Sequence, residues 1–284
     1  MLNKKKSQLN RKKRLLNLGC GNKFHEDWIN IDLISYSKHV VQYNILKKIP
    51  LPDDFVEVVY HSQVLEHIPK DKSEYFIKEC YRVLQPGGII RIVVPDLENI
   101  IQEYCRILKE CLEKPSALTR ANYEWITIEL FDQMIRNQTG GLMKEYLSRE
   151  NLINKKYVLE RSGAVGEYIN KSFQKSNLDK IKDKIEEVGY SVTLRKILKS
   201  GYGTIKGKIF GEKYKLGNFR LSGEVHMWMY DRFSLTELLT KSGFQEIKVK
   251  SPFDSDIPNW EDYQLDVKNG KPYDPTSLFV EARK

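Results

Sequence analysis

Residues 16–32 read LNLGCGNKFHEDWINID. The apolar run Leu15, Leu16 and Leu18 leads into Gly19 and Gly21, and Asp32 closes a second apolar run thirteen positions after Gly19. Two short apolar runs separated by a glycine turn predict a strand, a tight turn and a second strand. Glycine accepts positive φ and lets a ligand approach the main chain. In an open parallel sheet the ligand crevice lies beyond the carboxyl ends of the strands. Gly19, Gly21 and Asp32 are therefore expected to face one ligand, with the aspartate placed to accept hydrogen bonds from the two hydroxyls of a ribose. Glycines one residue apart also serve plain turns, so this stretch needs support from the rest of the chain.

That support begins with three more apolar runs, HVVQYNI, FVEVVY and GIIRIVVP, each bounded by turn residues. They are nearly continuous, as expected for strands buried on both faces of a parallel sheet. Between the fourth and fifth runs, residues 70–84 (KDKSEYFIKECYRVL) place Tyr75, Phe76, Ile77, Cys80, Val83 and Leu84 on one helical face, and Pro86-Gly87-Gly88 should stop that helix. Strand, helix and strand make a crossover unit. From Leu97 onward helical periodicity takes over, in 97–114, around 121–135 and in 177–198, with a glycine-rich stretch over 200–218. The sheet pattern then resumes: Ser234 is expected to cap a helix ended by Gly243, and QEIKVKS and TSLFVEARK supply two further strands. The expected fold is α/β, a doubly wound, mostly parallel seven-stranded sheet of Rossmann-like type with a mostly helical insertion. Its predicted parts are a basic arm over 1–14, a core over 15–96 and 219–284, and an insertion or lid over 97–218.

The 284 residues carry a formal net charge of +9, and the basic character is local. Residues 1–14 hold seven Lys/Arg and no acid, and residues 151–220 hold sixteen Lys/Arg against seven Asp/Glu, so the remainder is acidic. Either segment could meet an anionic partner or simply keep the surface solvated. In the insertion, Tyr157, Tyr168, Tyr190, Tyr202 and Tyr214 are interleaved with lysines, which suits stacking on sugars or bases or the core of a small helical bundle. Mean hydropathy is −0.52 and no run is long enough to span a membrane. No secretory leader is expected either. The four cysteines show no paired spacing, so a reducing, cytoplasmic setting is expected, and no metal.

The fourth strand ends in HSQVLEHIP and the crossover in YRVLQPGGIIRIVVP. With LNLGCG before them, these segments resemble the class I S-adenosylmethionine-dependent methyltransferases, whose sequences read LDxGCG, VLEHI and RVLxPGG in that order. The resemblance covers 15–95 and, more loosely, 223–284, and is similar to methyltransferase type 11 proteins associated with bacterial surface-polysaccharide synthesis. It implies S-adenosyl-L-methionine as cofactor. Gly19, Cys20 and Gly21 would line its amino-acid and ribose part, Asp32 would hold the ribose hydroxyls, Asn44 and Ile45 would face the adenine, and Ser62 with Gln63 would close the pocket under the sulfonium. Lys23 stands where the family has a third glycine, and the short span to Asp32 implies that the first helix is cut down or missing. GCGNKF does not open a long helix, which disfavours a nicotinamide dinucleotide.

The acceptor is less legible. HSQV replaces the DPPY-like tetrad expected for methylation of exocyclic nitrogens, and no Pro-Cys offers a thiolate for cytosine C5. An alcohol acceptor needs a general base. His226, in GEVHMWMYD where the chain returns to the sheet, is the candidate, with Asp231 to orient it and packing beside Trp228 and Tyr230 as the other reading. His67 is read as a packing or hydrogen-bonding residue. The expected function is O-methylation of a sugar or glycoconjugate. RNA methylation through the basic surface, or a catalytically inactive cofactor-binding module, are the alternatives, and contact of the basic arm with a membrane surface stays open.

Overall fold

The computed structural model describes residues 14–35, 37–173 and 211–284. The basic residues 1–13, the helix expected over 177–198, Tyr190 and Tyr202 lie outside the described residues. Five strands appear where the apolar runs predict them: β1 (Leu15–Leu18), β2 (Ile29–Asp32), β3 (Val40–Gln42), β4 (Val56–Ser62) and β5 (Leu84–Pro95). The helix α1 (Lys70–Val83) makes the crossover from β4 to β5. Residues 19–28 form turns and no helix, so β1 and β2 are joined directly, as the short glycine-to-aspartate span requires.

The helix ends at Val83, just before Pro86-Gly87-Gly88 as expected, but those residues do not form a separate turn. The chain passes straight from α1 into β5 at Leu84, and the three residues lie within the strand, where the pairing jumps from Val56 opposite Leu84 to Val58 opposite Ile89. Five residues advance on one strand against two on the other, a bulge that absorbs residues unable to follow a regular ladder.

Beyond β5 come α2 (Leu97–Glu113), α3 (Ala117–Ile135), α4 (Gly141–Leu147) and α5 (Lys155–Phe173), the last kinked at Gly163. They pack on one another through two small apolar clusters, one around Ile107 and Ile126, the other around Trp125, Tyr146 and Val158. Tyr157 is packed against both clusters, the bundle-core alternative of the two readings for the insertion's tyrosines. The chain returns to the sheet through α6 (Arg232–Lys241), β6 (Gln245–Lys250), the short α7 (Trp260–Tyr263), the small hairpin β7 (Val267–Lys268) and β8 (Lys271–Pro272), and β9 (Ser277–Arg283). Asp231, not Ser234, is the N-cap of α6: its carboxylate accepts from the Ser234 N–H at 2.8 Å, and the Ser234 hydroxyl accepts from the Asp231 N–H at 3.1 Å.

The seven-stranded sheet has the order β3-β2-β1-β4-β5-β9-β6. β1 to β5 pair in parallel, and β9 is antiparallel to both β5 and β6. Side chains alternate between the two faces, so both are buried. Leu16, Leu18, Val59, Ile90, Ile92 and Val280 pack under α1 and α6. Leu15, Val58, Tyr60, Val93 and Phe279 pack instead under Trp28, Trp260 and Leu265.

That second face includes a charge. Arg91 on β5 is fully buried and donates to Asp266 Oδ2 at 2.7 Å, Glu281 Oε1 at 2.6 Å and the carbonyls of Asp254 and Ser251 at 2.9 Å each. Every hydrogen-bonding arm of the guanidinium is used, which ties the 251–266 segment to the sheet. A buried charge is tolerated when it is paired and hydrogen-bonded in this way. No described helix is long and apolar enough to cross a membrane.

Candidate active site

The glycine turn sits at the carboxyl end of β1 and is clamped to β2. Gly19 N–H donates to the Ile31 carbonyl at 2.8 Å, and Gly19 and Gly21 have φ of 65° and 51°. The two glycines are bare for different reasons. A Cβ at Gly19 would collide with Val64 Cγ2, whereas one at Gly21 would meet nothing within 4 Å. Gly21 therefore borders open space, and Gly19 is required by packing against the start of the LEH segment. The Cys20 side chain is buried and its thiol is pushed up to about 12, chiefly by burial and then by the Asp32 charge, so it contributes backbone and not a thiolate.

Asp32 ends β2 beside this turn. Its Oδ2 accepts from Gly21 N–H at 2.8 Å and its Oδ1 from Ile34 N–H at 2.9 Å. Two backbone donors fix the carboxylate while leaving lone pairs to spare, since it can accept about four hydrogen bonds. Asn44 follows β3 and turns its side chain inward on its own loop, accepting from Leu46 N–H at 2.9 Å, and Ile45 is half-buried against the main core. Ser62 ends β4, and Gln63 follows it at φ 55°, with its amide donating to Ser277 Oγ at 2.9 Å. The predicted cofactor residues thus lie at the carboxyl ends of four neighbouring strands. A pinned acid beside exposed, side-chain-free backbone fits a ribose diol and the main-chain contacts of S-adenosylmethionine.

A cavity of about 550 Å³ opens next to Gln63, between the ends of β4 and β5 and the insertion. Gln63, Pro95, Gln133, Arg136, Arg161 and His226 are among its walls. Lys23, the residue in place of the third glycine, also borders it, with its ammonium over the Tyr273 ring at 4.1 Å and 3.3 Å from Asp274 Oδ2. That pair joins the glycine turn to the approach to β9, a contact across the whole chain.

His226 is 4% exposed and reaches this cavity, but Asp231 is not its partner. The Asp231 carboxylate is spent on the cap of α6. The neighbours of His226 come from LEH after β4. Met227 and Trp228 N–H both donate to the Glu66 carbonyl, at 2.7 and 3.1 Å, and His67 Nδ1 lies 3.1 Å from the Val225 carbonyl. The His67 and His226 rings meet edge to face with centroids 4.8 Å apart, and His67 Nε2 is 4.0 Å from Glu66 Oε1. Glu66 is completely buried, and neither carboxylate oxygen reaches a donor at hydrogen-bond geometry among the described residues. Burial raises it to about 8, tempered by the nearby backbone amides of Glu66 and Val64. His226 is pushed down to about 2 by burial and then by the adjacent His67, and burial also lowers His67. His226 Nδ1 likewise has no hydrogen-bond partner among the described residues.

Glu66, Gln133, Arg136 and Asp274 were not singled out from sequence as site residues. Glu66 alone had a local signal, as an acid between Leu65 and His67 directly after a strand whose residues are buried. The other three come to the cavity through helix packing and through a contact between distant segments.

Part of the chain is similar to known methyltransferases. Residues 16–92 match the family described as "Methyltransferase domain". A "Probable S-adenosylmethionine-dependent methyltransferase" of Mycolicibacterium smegmatis is 39% identical over 61 residues, 22% of this chain and 23% of that protein. A protein of the same description from Mycobacterium tuberculosis is 42% identical over 57 residues, 20% of each chain. The chain therefore matches less than a quarter of the length of these relatives. A solved SAM-dependent methyltransferase from Archaeoglobus fulgidus superposes over 100% of this chain and 91% of its own, at 11% identity and a TM-score of 0.39. Residues 16–92 thus carry a methyltransferase-domain sequence on a Rossmann-like sheet, and the cofactor that goes with that domain is S-adenosyl-L-methionine.

Proposed function

We propose that the whole protein transfers the methyl group of S-adenosylmethionine to a hydroxyl of a sugar or glycoconjugate held in the cavity beside Gln63. The observation that carries this reading is the double position of Gln63. It follows Ser62 at the cofactor edge of the sheet and is also part of the cavity wall, so an acceptor there would lie alongside the reactive end of the cofactor. The cofactor supplies an electrophilic methyl group, and the protein supplies alignment. Asp32 holds the ribose, the Gly19 to Gly21 backbone receives the amino-acid portion, Asn44 and Ile45 flank the adenine, and Ser62 and Gln63 border the sulfonium.

On the acceptor side, amide, guanidinium and imidazole groups from Gln63, Gln133, Arg136 and His226 stand among apolar neighbours such as Ile100, Leu130 and Met229. That mixture suits a polyhydroxylated ligand, which needs several directional hydrogen bonds on an otherwise apolar floor. The segment 97–218 serves as the acceptor lid in this reading, and the reaction is cytoplasmic. His226 is the acceptor-facing residue of the pair named from sequence, and Asp231 supports it only indirectly, by starting α6.

The test is incubation of the full chain with methyl-labelled cofactor and separated glycan, small-molecule and RNA pools from a host extract. A product heavier by about 14 Da, H replaced by CH3, in the glycan or small-molecule pool supports the reading. Label confined to RNA replaces it with RNA methylation. Tight binding of S-adenosylhomocysteine without label in any pool makes the protein a binding module.

A further inference from the structure

The LEH segment and the returning chain bring together three side chains that the cofactor does not need. One ligand atom each from Glu66, His67 and His226 lie within 4.8 Å of one another. We propose that these three residues bind a divalent transition-metal ion of the zinc class at the wall of the acceptor cavity. This goes beyond the methyl-transfer reading and does not depend on it.

Three observations carry the assignment. The first is the donor set. Two imidazoles and one carboxylate suit Zn2+ and its first-row neighbours, with coordination positions left open, better than Mg2+ or Ca2+, which prefer oxygen. The second is orientation. His67 Nδ1 lies 3.1 Å from the Val225 carbonyl, so its N–H is used there and Nε2, 4.0 Å from Glu66 Oε1, keeps its lone pair for a ligand. A backbone carbonyl behind a ligating histidine is the usual outer support of such sites. The third is the isolation of the acid's side chain. The Glu66 carboxyl group is fully buried and neither of its oxygens meets a partner at hydrogen-bond geometry among the described residues, and His226 Nδ1 is equally alone. A buried carboxylate left unpaired is destabilising, and a cation among these three groups compensates it.

In a tetrahedral site, ligand atoms about 2.1 Å from one ion lie about 3.4 Å apart, so the 4.0 Å between Glu66 and His67 and the 4.8 Å span of the cluster both have to close, by roughly 0.6 and 1.4 Å. Rotation of all three side chains has to supply that. His67 and His226 border the cavity, so open positions of the ion face the space assigned to the acceptor, where the ion would polarise an oxygen donor.

The experiment uses the full, tag-free chain, stripped with a chelator and titrated with Zn2+ in a calorimeter, with Co2+ as a visible-absorption probe of coordination. The expected result is one equivalent bound, an affinity loss of at least about tenfold in Glu66→Gln and in His226→Gln, and no loss in His25→Gln, which changes a half-buried histidine outside the cluster. His67→Gln is the further ligand variant should either of the first two fail to fold. Folding is checked by circular dichroism, and metal-free Glu66→Gln is expected to melt no lower than the metal-free parent. No binding of either ion overturns the proposal, and so does stoichiometric binding that survives the ligand substitutions. Failure of methyl transfer with metal binding intact would overturn only the reading of the reaction.

Discussion

Replacing Gly19 by alanine separates two reasons for a bare residue in the cofactor turn. A ligand that must touch backbone would make the substitution harmful only to binding. Here the main cost comes from the protein itself. At φ 65° an alanine carries about 1–2 kcal/mol of left-handed strain. Its Cβ would also collide with Val64 Cγ2 and stand 3.3 Å from Cγ1, an overpacking worth about 1–3 kcal/mol. The sum is about 2–5 kcal/mol of lost stability. Gly21→Ala, at φ 51° with nothing near the new methyl, should cost only the strain, about 1–2 kcal/mol. Urea unfolding of Gly19→Ala, Val64→Ala and the double variant forms a cycle. Truncating Val64 removes the obstacle, so the double variant should be more stable than the sum of the singles predicts by about 1–3 kcal/mol. Additivity within about 0.5 kcal/mol would refute the argument that Val64, not the ligand, dictates glycine at position 19.

Three other outcomes follow from the structure. Arg91→Met leaves Asp266 and Glu281 buried without their cation and should cost about 3–5 kcal/mol, read by denaturant melts. Asp231→Ala removes the cap of α6 and should cost about 1 kcal/mol, with S-adenosylhomocysteine affinity in calorimetry unchanged within a factor of about two. Glu79 accepts from Arg82 and from Ile49 N–H, and these bonds, Arg82 first, hold its carboxyl below the ordinary 4.5. A depressed folded-state value means stability that is present above the unfolded value and lost as pH falls through the folded one. Glu79→Gln should therefore cost on the order of 1 kcal/mol at pH 7, and the gap should narrow as the pH falls below the ordinary 4.5 in melts across a pH series.

Period-two burial and glycine punctuation made the strands legible, because side chains that point to opposite buried faces leave long apolar runs that few other structures tolerate. The missing first helix was legible too, as a distance: thirteen residues from Gly19 to Asp32 cannot hold a turn, a full helix and a strand. Pro86-Gly87-Gly88 was legible as the end of the helix but not as a bulge within the next strand, because local sequence does not distinguish a turn from a bulge. Ser234 and Asp231 exchanged roles for a similar reason: a capping box has a polar residue at each end, three positions apart. The residues proposed for the cofactor could be grouped because each lies next to its own strand. The Glu66, His67 and His226 cluster could not, because Glu66 meets His226 across 160 residues and nothing near either one announces the other.

β9 lies between β5 and β6, although it follows both in the chain. A chain made from its N-terminus must therefore complete β5, the longest of the described strands, and leave one of its edges unpaired while residues 96–276 are synthesised. A bare, apolar edge is a template for pairing with a neighbouring molecule. The nascent protein thus has to keep that edge from other chains until β9 leaves the ribosome, and yield in the cell should be sensitive to changes in residues 277–283 well before any effect on catalysis.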